Sequence, residues 1–150
     1  MIKNIYIIKS FYVLVIGLFS VFFFFSGCAA IVPATDENLV NRVINQYFQA
    51  INNVNRDKAL SYTITGGAAY EATNKFFDTK VLLAEQKNTR YLYSFEINTI
   101  NITDDTARVS LTYSFRLTGF DEITSPTFND DFTLKRIDGS WLLSTAPLAS

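Results

Sequence analysis

Polar and apolar residues along this chain predict helices first and strands afterwards. Residues 39–51 carry apolar side chains every three or four positions, with asparagine, glutamine and arginine between them. This spacing predicts an amphipathic helix that begins at Thr35 or Asp36, where either side chain can cap it. A short second helix is predicted over 56–62 and a longer third one over 68–83.

After Arg90 the apolar period shortens to two, which is the spacing of strands with one buried face. The alternation of the first strand slips near Asn98, which predicts a β-bulge. Further strands are predicted over 107–117, 127–137 and 140–145, and Asp138-Gly139 between the last two is a typical hairpin turn. The order predicts an α+β fold, with N-terminal helices packed on one curved antiparallel sheet.

The first 28 residues have a different pattern. Lys3 and Lys9 precede an almost unbroken apolar run over 11–25, which ends in Ser26-Gly27-Cys28. A charged start, an apolar run and small residues before a cleavage site are the general features of secretory signal peptides. The segment resembles a bacterial lipoprotein signal peptide, in which cleavage between Gly27 and Cys28 leaves the cysteine acylated as the first mature residue.

That resemblance divides the chain into a signal peptide (1–27), a lipidated tether (28–35) and a folded domain (36–150). Two acyl chains on Cys28 would hold the domain stably at a membrane. An uncleaved membrane span over 11–32 is the alternative, since about 20 apolar residues cross a bilayer. Both interpretations place the domain on the exported side of a bacterial envelope membrane, because lysines precede the apolar run and Asp36-Glu37 follow it.

Composition excludes several kinds of chemistry. The 150 residues include no histidine and one cysteine, so neither a Ser-His-Asp triad nor a histidine-ligated zinc site can form, and no internal disulfide is available. The chain has 13 basic and 14 acidic residues, and two of the basic ones lie in the leader. Without a basic face, no nucleic-acid partner is expected. No metal and no cofactor are predicted.

The domain resembles the NTF2-like superfamily over residues 36–146. The resemblance rests on the amphipathic helix 39–50, the short helix around Asp57-Lys-Ala-Leu60, and the closing Leu134-Lys-Arg-Ile-Asp-Gly-Ser-Trp141-Leu-Leu. It implies a cone-shaped fold, the fold of ketosteroid isomerases and SnoaL-type cyclases, with a pocket on the concave side of the sheet. Eight aromatic residues have the parity to line such a pocket: Tyr47, Tyr62, Tyr91, Tyr93, Tyr113, Phe115, Phe132 and Trp141.

Three functions are compatible with this pattern. The first is non-catalytic binding of an unknown apolar ligand or an envelope protein. The second is an isomerase or dehydratase, which needs a pocket carboxylate and a phenol; Glu96, with Asp130 and Asp131 behind it, is the candidate, but its parity is opposite to that of the tyrosines, which predicts a solvent-facing side chain. The third is a structural envelope protein, with Arg108, Thr112 and Arg116 on its outer face. No catalytic residue is predicted.

Overall fold

The computed structural model describes residues 34–119 and 123–146. The predicted signal peptide, Cys28 and most of the tether lie outside these residues. In chain order the elements are α1 (Asp36–Asn52), α2 (Arg56–Leu60), α3 (Ala68–Phe76), a π-helical segment (Phe77–Val81), α4 (Leu82–Gln86), β1 (Arg90–Thr103), β2 (Thr106–Thr118), β3 (Ile123–Thr124), β4 (Phe128–Ile137) and β5 (Ser140–Thr145).

Helix α1 is the amphipathic helix that the sequence predicts. Thr35 caps it, because the backbone N–H of Asn38 donates to the Thr35 hydroxyl at 3.3 Å, and Asp36 and Glu37 lie in the first turn, where negative charge is favourable. Its buried face consists of Val40, Ile44, Tyr47, Phe48, Ala50 and Ile51. This face packs on the sheet and fixes the position of the helix.

The strands form one antiparallel sheet in the order β1-β2-β4-β5, with the short β3 paired to β2. The register of β1 against β2 shifts between Ile97 and Thr99, which confirms the predicted bulge. Asp138 and Gly139 both have positive φ, 50° and 77°, as the predicted hairpin turn requires. The N-terminal helices and the antiparallel sheet confirm the α+β fold class.

The core lies between α1 and one face of the sheet, and Phe48 is at its centre. The ring of Phe48 stacks on Phe95 at a centroid distance of 4.4 Å and contacts Phe132 at 5.8 Å. Val109, Leu111, Phe132 and Leu134 of the paired central strands are completely buried on the same face. Aromatic and branched side chains therefore hold the helix to the sheet.

The third predicted helix differs from its expected form. Instead of one α-helix over 68–83, the chain forms α3, the π-helical segment and α4, and it stays helical to Gln86. The polar composition of residues 85–89 predicts a loop there, but exposed polar residues are also compatible with a last helical turn. Within 34–119 and 123–146, every helix is too short or too polar to cross a bilayer.

Candidate functional site

A cavity of about 190 Å³ lies between the last turn of α1, the π-helical segment, α4 and the start of β1. We call it the Tyr91 cavity. It is lined by Ile51, Val54, Phe76, Val81, Ala84, Glu85, Thr89, Arg90 and Tyr91. Six of these nine side chains are apolar or aromatic. The three polar ones, Glu85, Thr89 and Arg90, lie close together in the sequence. The lining therefore favours an apolar ligand with one polar edge.

The chain leaves α1 through a strained residue on the cavity wall. Val54 has φ of +54°, a left-handed conformation that is rare for a β-branched residue. This turn lets the N–H of Asn55 donate to the carbonyl of Ala50 at 2.9 Å, and the N–H of Val54 to that of Ile51 at 3.0 Å. It also places the Val54 side chain, half-buried, against the cavity.

The π-helical segment forms the opposite wall. Its one wider turn changes which residues face inward, so that Phe76 before it and Val81 at its end both line the cavity. Such π-helical turns occur mostly as single insertions in α-helices and frequently at functional sites. Phe76 also contacts Tyr91 edge-on at 5.8 Å, which joins this wall to the sheet.

The polar edge of the cavity follows the end of α4. Thr89 stabilises that end, because its N–H and its hydroxyl both donate to the carbonyl of Ala84, at 2.8 and 3.1 Å. The guanidinium of Arg90 donates to the carbonyl of Asn52 at the end of α1. Arg90 and Glu85 are exposed, so the edge carries one positive and one negative group in contact with water.

Of the eight aromatic residues predicted to line a pocket, Tyr91 borders this cavity. Five others are almost fully buried: Tyr47, Tyr93, Tyr113, Phe132 and Trp141. Phe115 is half-buried and contacts Tyr91 at 5.3 Å. Tyr62 is half-buried beneath the ammonium of Lys58, 5.0 Å from its ring centre. A pocket role for these seven residues stays a prediction.

Two buried phenols differ in how their hydroxyls are satisfied. The hydroxyl of Tyr47 lies 2.8 Å from that of Thr73, whereas the hydroxyl of Tyr93 is buried without a hydrogen-bond partner among the described residues. Burial raises the pKa of both phenols above its ordinary value, and for Tyr93 repulsion from Tyr113 and Tyr91 raises the pKa further. Both groups are therefore neutral at physiological pH.

Asp130, which was predicted to lie behind Glu96, has its carboxylate on the opposite, core-facing side of the sheet. Asp130 lies opposite Leu111, on the same face as the buried Phe132, and its carboxylate accepts a hydrogen bond of 2.9 Å from the Tyr113 hydroxyl. The alternation of β4 indicates this position, because Phe128, Asp130 and Phe132 are two residues apart and therefore lie on one face of the strand. Asp130 borders an open depression beside Ala68 and Thr145, separate from the Tyr91 cavity.

The other face of the sheet is polar. Glu96 is exposed there, as predicted. Arg108 makes an ion pair with Asp131 at 2.6 Å, and Thr112 donates to Asn129 at 2.6 Å. Side chains that bond to one another and to water form an ordinary solvated surface. Within the described residues, no three histidine, cysteine, aspartate or glutamate side chains are grouped as metal ligands.

Comparisons with known proteins address the fold. No family model and no curated protein sequence matches the chain. Solved structures do match, among them an NTF2-like protein with a cystatin-like fold from Novosphingobium aromaticivorans, with a TM-score of 0.60, 11% identity, and coverage of 73% of this chain and 78% of that one. An NTF-2 like protein of unknown function from Shewanella oneidensis MR-1 has a TM-score of 0.57 and 12% identity, over 74% of this chain and 96% of that one.

A ketosteroid isomerase-like protein from Erwinia carotovora atroseptica SCRI1043 also matches, with a TM-score of 0.56 and 15% identity. The match covers 74% of this chain and 94% of that one. Likeness at this level of identity concerns the fold and not the chemistry, because one fold hosts many activities. The described part of the chain has the NTF2-like fold.

Proposed function

We propose that this chain is a membrane-anchored, extracytoplasmic lipoprotein whose NTF2-like domain binds a small apolar ligand without converting it. The Tyr91 cavity carries the proposal, because apolar side chains supply most of its lining and its polar groups lie at one edge. Its one carboxylate, Glu85, is exposed to water. A catalytic base usually needs a more protected position to have a useful pKa.

The size of the cavity limits the ligand. A dry apolar cavity of about 150 Å³ holds one benzene molecule, and the Tyr91 cavity has about 190 Å³. One aromatic ring with a small substituent therefore fits inside the cavity, whereas a steroid is too large to be enclosed. At the edge, Arg90 can donate hydrogen bonds to a polar substituent on the ring, and the Thr89 hydroxyl, whose hydrogen is donated to Ala84, can accept one.

Fluorobenzene is a suitable probe, observed by ¹⁹F NMR with the full chain in lipid nanodiscs. We expect a saturable bound signal with the wild type and about a tenfold weaker affinity with Ala84→Leu, which puts a larger side chain into the cavity. Leu83→Ala is the matched control, because Leu83 is 53% exposed and does not line the cavity. Equal binding by the wild type and Ala84→Leu would refute the site.

The anchor is tested separately. The lysines, the apolar run and Ser26-Gly27-Cys28 support lipidation. The intact mass of the protein extracted from its host membranes should equal that of a chain starting at Cys28 plus a diacylglyceryl group. Cys28→Ala should abolish this form. An unmodified full-length mass would favour an uncleaved membrane span instead.

One observation supports a second candidate function, an isomerase or dehydratase. The Tyr113–Asp130 hydrogen bond puts a phenol and a carboxylate together on the core-facing side of the sheet. An enzyme of this kind removes a proton next to a carbonyl, so it would accelerate deuterium exchange of cyclohexanone in D₂O. We favour binding, because Asp130 does not line the Tyr91 cavity. Exchange that the wild type accelerates and Asp130→Asn does not would reverse this preference.

A further inference from the structure

On the edge of β1 that faces away from β2, a side chain makes the backbone hydrogen bonds that a neighbouring strand would otherwise make. Tyr93 pairs with Phe115 of β2, but the N–H and C=O of Phe115 bond to Ser125 on the other side of β2. The backbone groups of Tyr93 therefore point away from β2. The side-chain amide of Asn52 takes both: it donates to the Tyr93 carbonyl at 2.9 Å and accepts from the Tyr93 N–H at 2.7 Å.

The next two outward positions on this edge have no such partner. Outward backbone groups recur every second residue in an antiparallel strand, so Phe95 and Ile97 point the same way as Tyr93, up to the register shift after Ile97. Within 34–119 and 123–146, these outward N–H and C=O groups have no hydrogen-bond partner. Unpaired N–H and C=O groups on a strand edge are a template for a further strand.

The space beside this edge is open and has an uncharged lining, which suits a peptide. An open groove of about 480 Å³ runs between α1 and β1, lined by Asn41, Asn45, Tyr93, Ser94, Phe95 and Ile97. No charged side chain lines it. Asn45 donates to the side chain of Asn41 at 2.5 Å, so the helical wall presents amide groups. Amides bond equally well to the donors and the acceptors of a peptide.

We propose that this groove binds an extended polypeptide segment of another protein, which adds to the edge of β1 and bonds to the backbone of Phe95 and Ile97. Side chains of an added strand alternate between two faces. Those opposite Phe95 and Ile97 lie towards Asn41 and Asn45, which favours uncharged polar residues. Those on the other face lie beside the exposed Glu96, which favours basic residues.

A second copy of this chain fits the same edge poorly. Antiparallel pairing that uses Phe95 and Ile97 of both copies puts Glu96 directly opposite Glu96 of the other copy. Like charges opposite each other on one face destabilise a strand pair. In addition, Asn52 already occupies the backbone groups of Tyr93, which shortens the free edge. The groove therefore favours a different chain.

The test uses a blocked five-residue peptide of alternating threonine and lysine, Thr-Lys-Thr-Lys-Thr, and the full chain in a mild detergent. Amide hydrogen exchange is followed by NMR. We expect the amides of Phe95 and Ile97 to exchange about tenfold more slowly with saturating peptide. A peptide with N-methylated threonines keeps the side chains but loses the donors, and it should bind about tenfold more weakly.

Charge reversal sharpens the test. Glu96→Lys should weaken the binding of the lysine peptide roughly threefold, and it should strengthen the binding of a peptide in which glutamate replaces lysine. Glu71→Lys, an equal charge change at an exposed site on α3, should change neither affinity. Equal binding of the N-methylated peptide, or unchanged exchange at Phe95 and Ile97, would overturn the proposal. Protection that rises with protein concentration alone would assign the edge to a second copy.

Discussion

The two ends of helix α1 are built in opposite ways. At its start, which we call the closed end, the guanidinium of Arg136 pairs with Asp36 and lies over the ring of Trp141 at 4.7 Å. The indole N–H of Trp141 points to the same carboxylate at 3.4 Å. One charged group therefore holds the helix to the β4–β5 hairpin, and α1 begins there with the Thr35 side-chain cap.

At the other end of α1, the cavity end, regular geometry is lost. Val54 is left-handed, the helix after α3 widens into a π-turn, and Leu82 and Leu83 are half exposed. These features surround the Tyr91 cavity. Strained backbone persists where the surroundings hold it in place, and it is found mostly at functional sites. The comparison indicates that stability comes mainly from the closed end and the central sheet, whereas the proposed ligand binding belongs to the cavity end.

The largest expected difference concerns side-chain truncation. Phe132→Ala removes a completely buried ring that contacts Phe48, so we expect it to lower the free energy of unfolding by about 3–5 kcal/mol. Val81→Ala enlarges a space that already exists, and it should cost about 1–2 kcal/mol. Urea denaturation of the full chain in a mild detergent, followed by Trp141 fluorescence, measures both. Equal costs would contradict the comparison.

The turn at Gly119 supports the cavity end from outside. Gly119 has φ of +151°, and a Cβ there would lie 2.7 Å from Cγ2 of Thr89 and 3.0 Å from the Asn88 carbonyl. We expect Gly119→Ala to cost roughly 2–3 kcal/mol, from strain and from displacing Thr89. Gly66→Ala is the matched control, because Gly66 has φ of +69° and open space around it. It should cost only about 1 kcal/mol.

High pH should destabilise the fold through its buried phenols. Burial raises the pKa of Tyr47 and Tyr93 in the folded state, so the unfolded chain loses these protons first, near pH 10. Their stabilising effect is complete below that pH and is lost above it, at about 1.4 kcal/mol per pH unit for each phenol. Unfolding free energies at about pH 9 to 11 should therefore fall less steeply in Tyr93→Phe. An unchanged slope would mean that Tyr93 ionises as easily folded as unfolded.

Removing each phenolic oxygen at neutral pH should have effects of opposite sign. Tyr47→Phe breaks the bond to Thr73, and we expect it to cost about 1 kcal/mol. Tyr93→Phe removes a buried hydroxyl without a described partner, so it should leave stability unchanged or raise it by up to about 1 kcal/mol. Urea denaturation compares the two directly. A clear loss with Tyr93→Phe would indicate that its hydroxyl has a partner, such as a buried water.

The features predicted correctly from the sequence depend on local signals. Helix α1, the bulge after Ile97 and the Asp138-Gly139 turn each follow from spacing or turn chemistry within a few residues. The cavity depends on how α1 meets β1, and the left-handed Val54 goes against its own intrinsic preference. The core-facing position of Asp130 could have been predicted from the alternation of β4. The anchor at Cys28 stays a prediction.

The smallest expected effect on stability is at Val54, a strained residue that also lines the Tyr91 cavity. Val54→Asn relieves the left-handed strain, since asparagine tolerates this conformation, but it loses half-buried apolar contact. The stability gained from relieving strain and the stability lost with the apolar contact nearly cancel, so we expect the free energy of unfolding to change by less than about 1 kcal/mol. Fluorobenzene affinity should nevertheless fall about fivefold, because a polar group replaces an apolar part of the wall. Asn53→Ala, an exposed neighbour, is the control. Unchanged affinity would mean that the strained turn sets the path of the backbone but does not affect binding in the Tyr91 cavity.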